Sequence, residues 1–214
     1  PLGVVTSRTW KIPAIAAVLF AWLPTLAYTQ DGLDSTWRNA PLYRDLDKAL
    51  ALHARGIPIL RLDLSGKRMK EVPASLGQFT LLRELNLDQN RLRSLSDTLA
   101  ACRHLVEFSA EGNRIEGWPE VVMSWGELEL LALGDNYIDS ISLDIDALIR
   151  LRKISLWANI IGHFPASLSN LKSLERLDLL HNDMTHEEQE MLRSWLPGVS
   201  LNLSPPCRCA FDEY

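Results

Sequence analysis

The chain has 214 residues, of which 22 are basic and 27 acidic, a net charge of −5, with 47% apolar residues and three cysteines. The apolar share suits a folded core and excludes a charge-rich disordered chain. The acidic balance argues against nucleic acid or an anionic membrane as partner, and three cysteines are too few for a disulfide-framed scaffold.

Residues 1–27 differ in character from the rest of the chain. Arg8 and Lys11 precede the apolar run Ile12–Ala27, and Thr25-Leu-Ala27 offers small residues for cleavage. That is the pattern of a secretory signal peptide. The run is about 16 residues, short of the roughly 20 that a spanning helix needs. Removing residues 1–27 takes away two basic residues and no acidic one, so the net charge becomes −7. Residues 28–56 read as a linker and an N-terminal capping helix. The helix is expected over Tyr43–Arg55, where Leu46, Ala49, Leu50 and Ala54 fall at helical spacing and Gly56 suits its C-terminus.

From residue 57 to 204 one frame recurs. Its cleanest copy is Leu82-x-x-Leu85-x-Leu87-x-x-Asn90-x-Leu92, and asparagine returns every 23 residues, at Asn90, Asn113, Asn136, Asn159 and Asn182. An earlier copy, Ile59/Leu62/Leu64/Lys67/Met69, has lysine at the asparagine place. Alternation such as Leu85/Asn86/Leu87 predicts a half-buried strand. The apolar residues after it, three or four apart, predict a helical or 3₁₀ return arc. Pro73, Pro119 and Pro165 stand where arcs begin, whereas repeats two and four have Ser96 and Ser142 there. One repeat cannot bury its own apolar face; stacked copies can, with parallel strands on a concave wall. The asparagines are predicted to be structural: an inward amide has two donors and an acceptor for the turn between strand and arc. After Asn182, Thr185-His-Glu-Glu188 predicts a capping box and a helix that ends at Pro197-Gly198. Leu201–Leu203 is then a terminal strand displaced by 24 residues, and Pro206 falls at the asparagine place and ends the array. The fold class is α/β: a right-handed superhelical solenoid of six repeats plus a strand, with the tail 205–214 after it. Cys102 is expected to be a buried small hydrophobe, and Cys207 and Cys209 an exposed pair.

The stretches Tyr43-Arg-Asp-Leu-Asp-Lys-Ala-Leu50 and Ile59-Leu-Arg-Leu-Asp-Leu-Ser-Gly-Lys-Arg-Met-Lys-Glu-Val-Pro73 resemble the opening of bacterial exported leucine-rich repeat proteins. The close at Asn182–Leu203 is similar to the end of such arrays. The resemblance covers about residues 43–203 and implies the solenoid fold. It implies little about the partner, because the family binds many.

Register lists the side chains that should face solvent on the concave wall. One column is Arg61, Glu84, Glu107, Leu130, Lys153 and Arg176. The next is Asp63, Asn86, Ser109, Ala132, Ser155 and Asp178, and the third is Ser65, Asp88, Glu111, Gly134, Trp157 and Leu180. Glu84, Asp88, Glu107 and Glu111 form a central acidic patch. Leu130, Trp157 and Leu180, flanked by Lys153 and Arg176, have the composition of a partner-binding hot spot. A further column, Arg68, Arg91 and Arg114, is expected to pair locally with Asp88 and Glu111, three residues before the last two arginines. No catalytic constellation is found among His53, His104, His163, His181 and His186, no phosphate loop is present, and the spacing of His181, Asp183, His186 and Glu187 matches no metal motif. The expectation is therefore a non-enzymatic, exported, monomeric protein-binding module, secreted, periplasmic or at the cell surface, without cofactor or metal. The alternatives are a carbohydrate or cell-wall binder, using Trp157 and Tyr137, and the binding part of a larger protein.

Overall fold

A computed structural model describes residues 36–206; the expected signal peptide and Cys207 and Cys209 lie outside the described residues. Eight parallel strands form one sheet in chain order: β1 Leu42–Tyr43, β2 Arg61–Asp63, β3 Glu84–Asn86, β4 Glu107–Ser109, β5 Leu130–Ala132, β6 Lys153–Ser155, β7 Arg176–Leu179 and β8 Ser200–Leu203. From β2 to β7 each strand pairs with the next at an offset of 23 residues, as in Leu85↔Phe108. The β7–β8 step is 24 residues, Leu177↔Leu201. No periodicity of the sequence predicts β1. It precedes the helix α1, Leu46–His53, which is shorter than the expected span and is N-capped by the Asp45 carboxylate.

The return arcs are 3₁₀ turns at Ala74–Gln78, Asp97–Ala101, Glu120–Ser124, Ile145–Ala147 and Ala166–Asn170. Pro73, Pro119 and Pro165 stand immediately before them in extended backbone, where a missing N–H costs nothing. Ser96 replaces proline by capping, its hydroxyl accepting from the Thr98 N–H, and its arc keeps full length. The arc after Ser142 is shortened to three residues. The last arc is the true helix α2, His186–Trp195, opened by the Thr185/Glu188 capping box.

The frame leucines are the core. Leu82, Leu85, Leu87 and Leu92 are 1% exposed or less, and each such burial contributes about 1.5–3 kcal/mol. The arc column is tied together as well as packed. Trp125 Nε1 donates to the Leu99 carbonyl at 3.0 Å, and in the preceding copy Cys102 Sγ donates to the Leu76 carbonyl at 3.6 Å. Burial pushes the Cys102 thiol up to about 11, so it stays protonated and behaves as a hydrophobe.

The asparagines close the turns in one repeated pattern. Asn136 Nδ2 donates to the carbonyls of Ala110, Leu133 and Gly134 at 3.0, 3.0 and 3.1 Å, and its Oδ1 accepts from the Ile115 N–H at 3.0 Å. Asn90, Asn113, Asn159 and Asn182 repeat all four bonds one copy apart. The residue before each asparagine place takes a left-handed backbone: Gly66, Gln89, Gly112, Asp135, Ala158 and His181 all have φ between 50° and 67°.

Candidate binding wall

Residues that precede the strands prepare the wall. A short 3₁₀ turn, Trp37–Asn39, is held by the Arg61 guanidinium, which donates to the carbonyls of Arg38 and Ala40 at 2.8 and 3.3 Å. Trp37 is buried, and the Arg38 guanidinium lies 4.5 Å from its ring centre. Leu60, Arg83 and Val106, the residues just before β2, β3 and β4, are also buried, whereas Arg152 and Glu175 at the same place in later repeats are exposed. The segment 36–40 therefore straps the first strands. Nothing periodic in the sequence marks it; an aromatic–cation dipeptide inside an apparent linker is the one signal it leaves.

The strap changes the acidic patch. Glu84 is held by Arg61 at 2.6 Å and Glu107 by Arg38 at 2.9 Å. Asp88 accepts from Ser109 Oγ at 2.6 Å and from the Glu111 N–H at 2.7 Å. Glu111 accepts from Ser155 Oγ at 2.7 Å and from Trp157 Nε1 at 3.1 Å. At the first repeat Arg44 meets Asp63 at 3.0 Å. Burial pushes the Asp63 carboxyl up, but bonds from Ser65 and Arg44 outweigh it and hold the group below its ordinary value. The four carboxylates expected to face a partner are thus engaged within the chain. The expected pairing of Asp88 with Arg91 and of Glu111 with Arg114 does not form, because both acids turn along the wall rather than over its edge.

The apolar half is less exposed than register alone suggests. Trp157 is half-buried, with its indole laid across Gly134: a Cβ at residue 134 would stand 2.1 Å from Nε1. Ring planarity and the Glu111 bond make it part of the wall rather than a free anchor. Leu130 and Leu180 are half-buried and Ala132 is buried, because each sits between flanking strands rather than on a bare surface. Lys153 and Arg176 are exposed and make no ion pair among the described residues. Between them and Leu130, Ala132, Ser155 and Asp178 lies a groove of about 310 Å³. Asp178 also lines the groove, accepting from Asn202 Nδ2 at 2.9 Å, so two cations face one carboxylate there. Leu180 does not line it. Among the described residues no three His, Cys, Asp or Glu side chains gather as metal ligands would, and no helix is long and apolar enough to cross a membrane.

No protein-family profile matches the chain. Over 160 residues it is 31% identical to the probable serine/threonine-protein kinase pats1 of Dictyostelium discoideum, a match that covers 71% of this chain and 5% of the kinase. That match falls on the kinase's repeats and carries no catalytic assignment. A leucine-rich repeat protein of Leptospira interrogans superimposes with a TM-score of 0.62 at 26% identity, covering 71% of this chain and 38% of that one. Internalin C2 of Listeria monocytogenes gives 0.59 at 20% identity, covering 68% of this chain and 62% of that one. The chain spans less than two thirds of each of these three proteins. With eight parallel strands in sequence order and an asparagine at five successive turns, the fold is a leucine-rich repeat solenoid.

Proposed function

We infer that the chain is a non-enzymatic protein-binding module of an exported bacterial protein, and that it holds its partner on the concave wall over β5–β7. The observation that carries this reading is the groove at Leu130 and Ala132 flanked by Lys153 and Arg176, cations without an ion pair among the described residues, on a wall whose acidic patch is engaged. Leu130 and Ala132 supply a small apolar floor, and the two cations receive carboxylates or carbonyls of an extended segment. Export is supported by the charged and apolar pattern of residues 1–27, and a bacterial source by the likeness to the Leptospira protein. Trp157, half-buried in the next column with its indole on Gly134, borders this region of the wall.

Selection of a random-peptide display library on the intact chain tests the reading. Enriched peptides are expected to carry acidic residues around a small apolar one. Their binding should fall by about tenfold or more in Lys153→Glu/Arg176→Glu, as loss of charged hydrogen bonds implies. No enrichment, or enriched peptides indifferent to that double change, would sink it.

A further inference from the structure

Just after the asparagine place, single backbone bonds join one turn to the next along the side of the solenoid. The Arg91 N–H donates to the Met69 carbonyl at 2.8 Å and the Arg114 N–H to the Leu92 carbonyl at 2.8 Å. The same register recurs one copy on, where Tyr137 donates to Ile115 and pairs directly with Glu116. In this register Arg91 stands opposite Lys70, and Arg114 opposite Arg93. Like charges placed directly across a ladder repel, yet these four side chains are exposed, and none has an ion pair or side-chain hydrogen bond among the described residues. Arg68, two residues before Lys70 and also exposed and unpaired, extends the array. The carboxylates within reach by sequence, Asp88 and Glu111, are turned into the concave wall. Glu71 and Glu116 bound the cationic run, and Asp135 and Asp139 lie on the next turn beside Tyr137. Beyond the last arginine comes Tyr137, 54% exposed. A chain with a net charge of −5 thus collects five cations over three adjacent turns.

We propose that this lateral ladder is a binding site for an acidic polysaccharide, a sugar chain bearing carboxylate or sulfate groups. The cations form a line rather than a cup, which suits a linear polyanion more than a single ion. Successive turns are about 4.8 Å apart, close to the advance of one sugar ring along an extended chain, so one ring meets each turn. An extended acidic peptide fits less well, since its side chains on one face recur at about twice the 3.3 Å rise of a strand. Tyr137 closes the line with a flat ring able to stack on a sugar face. A single-stranded nucleic acid calls for an aromatic platform under successive bases, and this ladder offers one ring. The site lies on a different face from the concave groove and does not depend on it.

The experiment is retention of the intact chain on immobilised polygalacturonate and heparin, with dextran and single-stranded DNA as comparison matrices. At about 50 mM salt, where charge contacts are strong, the chain is expected on both acidic polysaccharides and absent from dextran. Arg91→Glu/Arg114→Glu should weaken retention by tenfold or more, about tenfold for each charged contact removed, with no loss of melting temperature. Tyr137→Ala should weaken the polysaccharides alone, and Lys153→Glu/Arg176→Glu should leave them unchanged. Failure to bind either polysaccharide, or binding indifferent to Arg91→Glu/Arg114→Glu, overturns the proposal. So does equal binding to single-stranded DNA with Tyr137→Ala silent, which would mark a non-specific basic surface.

Discussion

The two halves of the concave wall use the same backbone to opposite ends. Over β2–β4 every column acid has a partner supplied from elsewhere in the chain: Arg44, Arg61, Arg38, Ser109, Ser155 or Trp157. Over β5–β7 the cations Lys153 and Arg176 have none among the described residues, and a groove opens between them. The frame and asparagine bonds are alike from Asn90 to Asn182, and part of the difference lies in the variable wall positions, where Arg61, Ser109, Ser155 and Trp157 hold Glu84, Asp88 and Glu111. Another part comes from the strap at 36–40, whose Arg38 holds Glu107 at 2.9 Å and lies 3.9 Å from Glu129. A solenoid wall becomes available to a partner where its own termini leave it uncovered.

The halves contrast most at two ion pairs on the rim of the wall. In the first half Arg83 is buried, donates to Glu127, and shares that carboxylate with His104 Nδ1 at 2.7 Å. In the second half Arg152 and Glu175 meet at 2.6 Å with both side chains about half exposed (52% and 51%). Glu127→Gln leaves a buried guanidinium without its charge partner and is expected to cost about 2–3 kcal/mol, less than a fully buried pair because Glu127 keeps some solvent. Glu175→Gln should cost clearly less, because both partners of its pair face solvent. Urea denaturation of both variants measures the contrast, and equal costs would show that the two rims do not differ. Acid titration adds a sign. Burial pushes Glu127 up, but His104 and Arg83 outweigh it and hold the carboxyl below its ordinary value. Its contribution is full above the unfolded glutamate pKa of about 4.3 and is lost as pH falls through the lower folded value. Glu127→Gln should therefore flatten the acid limb of the stability curve.

A smaller effect is expected from the strap. Arg38→Ala removes the 2.9 Å bond to Glu107 and the contact with Trp37, and should destabilise by about 1 kcal/mol. It also returns a free carboxylate to the wall beside Leu130. Peptides selected on the β5–β7 groove should then bind more weakly, since Arg38 and Glu107 line the cleft next to it with Lys153. Unchanged peptide binding in Arg38→Ala would mean that the halves are electrostatically independent.

How far these features could be read from sequence depends on their range. The 23-residue frame, the 24-residue last step, the capping box at Thr185 and the buried Cys102 are periodic or local, and periodicity alone places them. The exposed columns were legible as positions but not as environments. Register puts Trp157 on the wall, but that its ring lies on Gly134 depends on the neighbour having no Cβ. Arg38 meets Glu107 across 69 residues, and Glu111 meets Trp157 across 46. Such pairings depend on the reach of flexible side chains, which spacing does not encode. The same reason hid the lateral cations: local spacing offered Asp88 and Glu111 as partners, and longer-range bonds took them away.

The halves differ last in the left-handed column before the asparagine place. Two of the three members in the early repeats are glycine, Gly66 and Gly112, whereas the later ones are Asp135, Ala158 and His181. A left-handed backbone costs a residue with a Cβ about 1 kcal/mol, and aspartate offsets part of that by local hydrogen bonding. Ala158, at φ 50°, has no such recourse. Glycine also adds entropy to the unfolded chain, which opposes the gain. Ala158→Gly is therefore expected to stabilise by about 0.5 kcal/mol, since strain relief exceeds the added unfolded-state freedom. The reverse change in the early half, Gly112→Ala, should destabilise by about 1–2 kcal/mol, because its Cβ would also meet Gln89 Nε2 at 2.2 Å and force that side chain aside. Thermal melts of the two variants decide the point. If Ala158→Gly destabilises, the turn is held by its neighbours so firmly that residue type no longer matters, and glycine in the early copies then answers to the Gln89 contact rather than to φ.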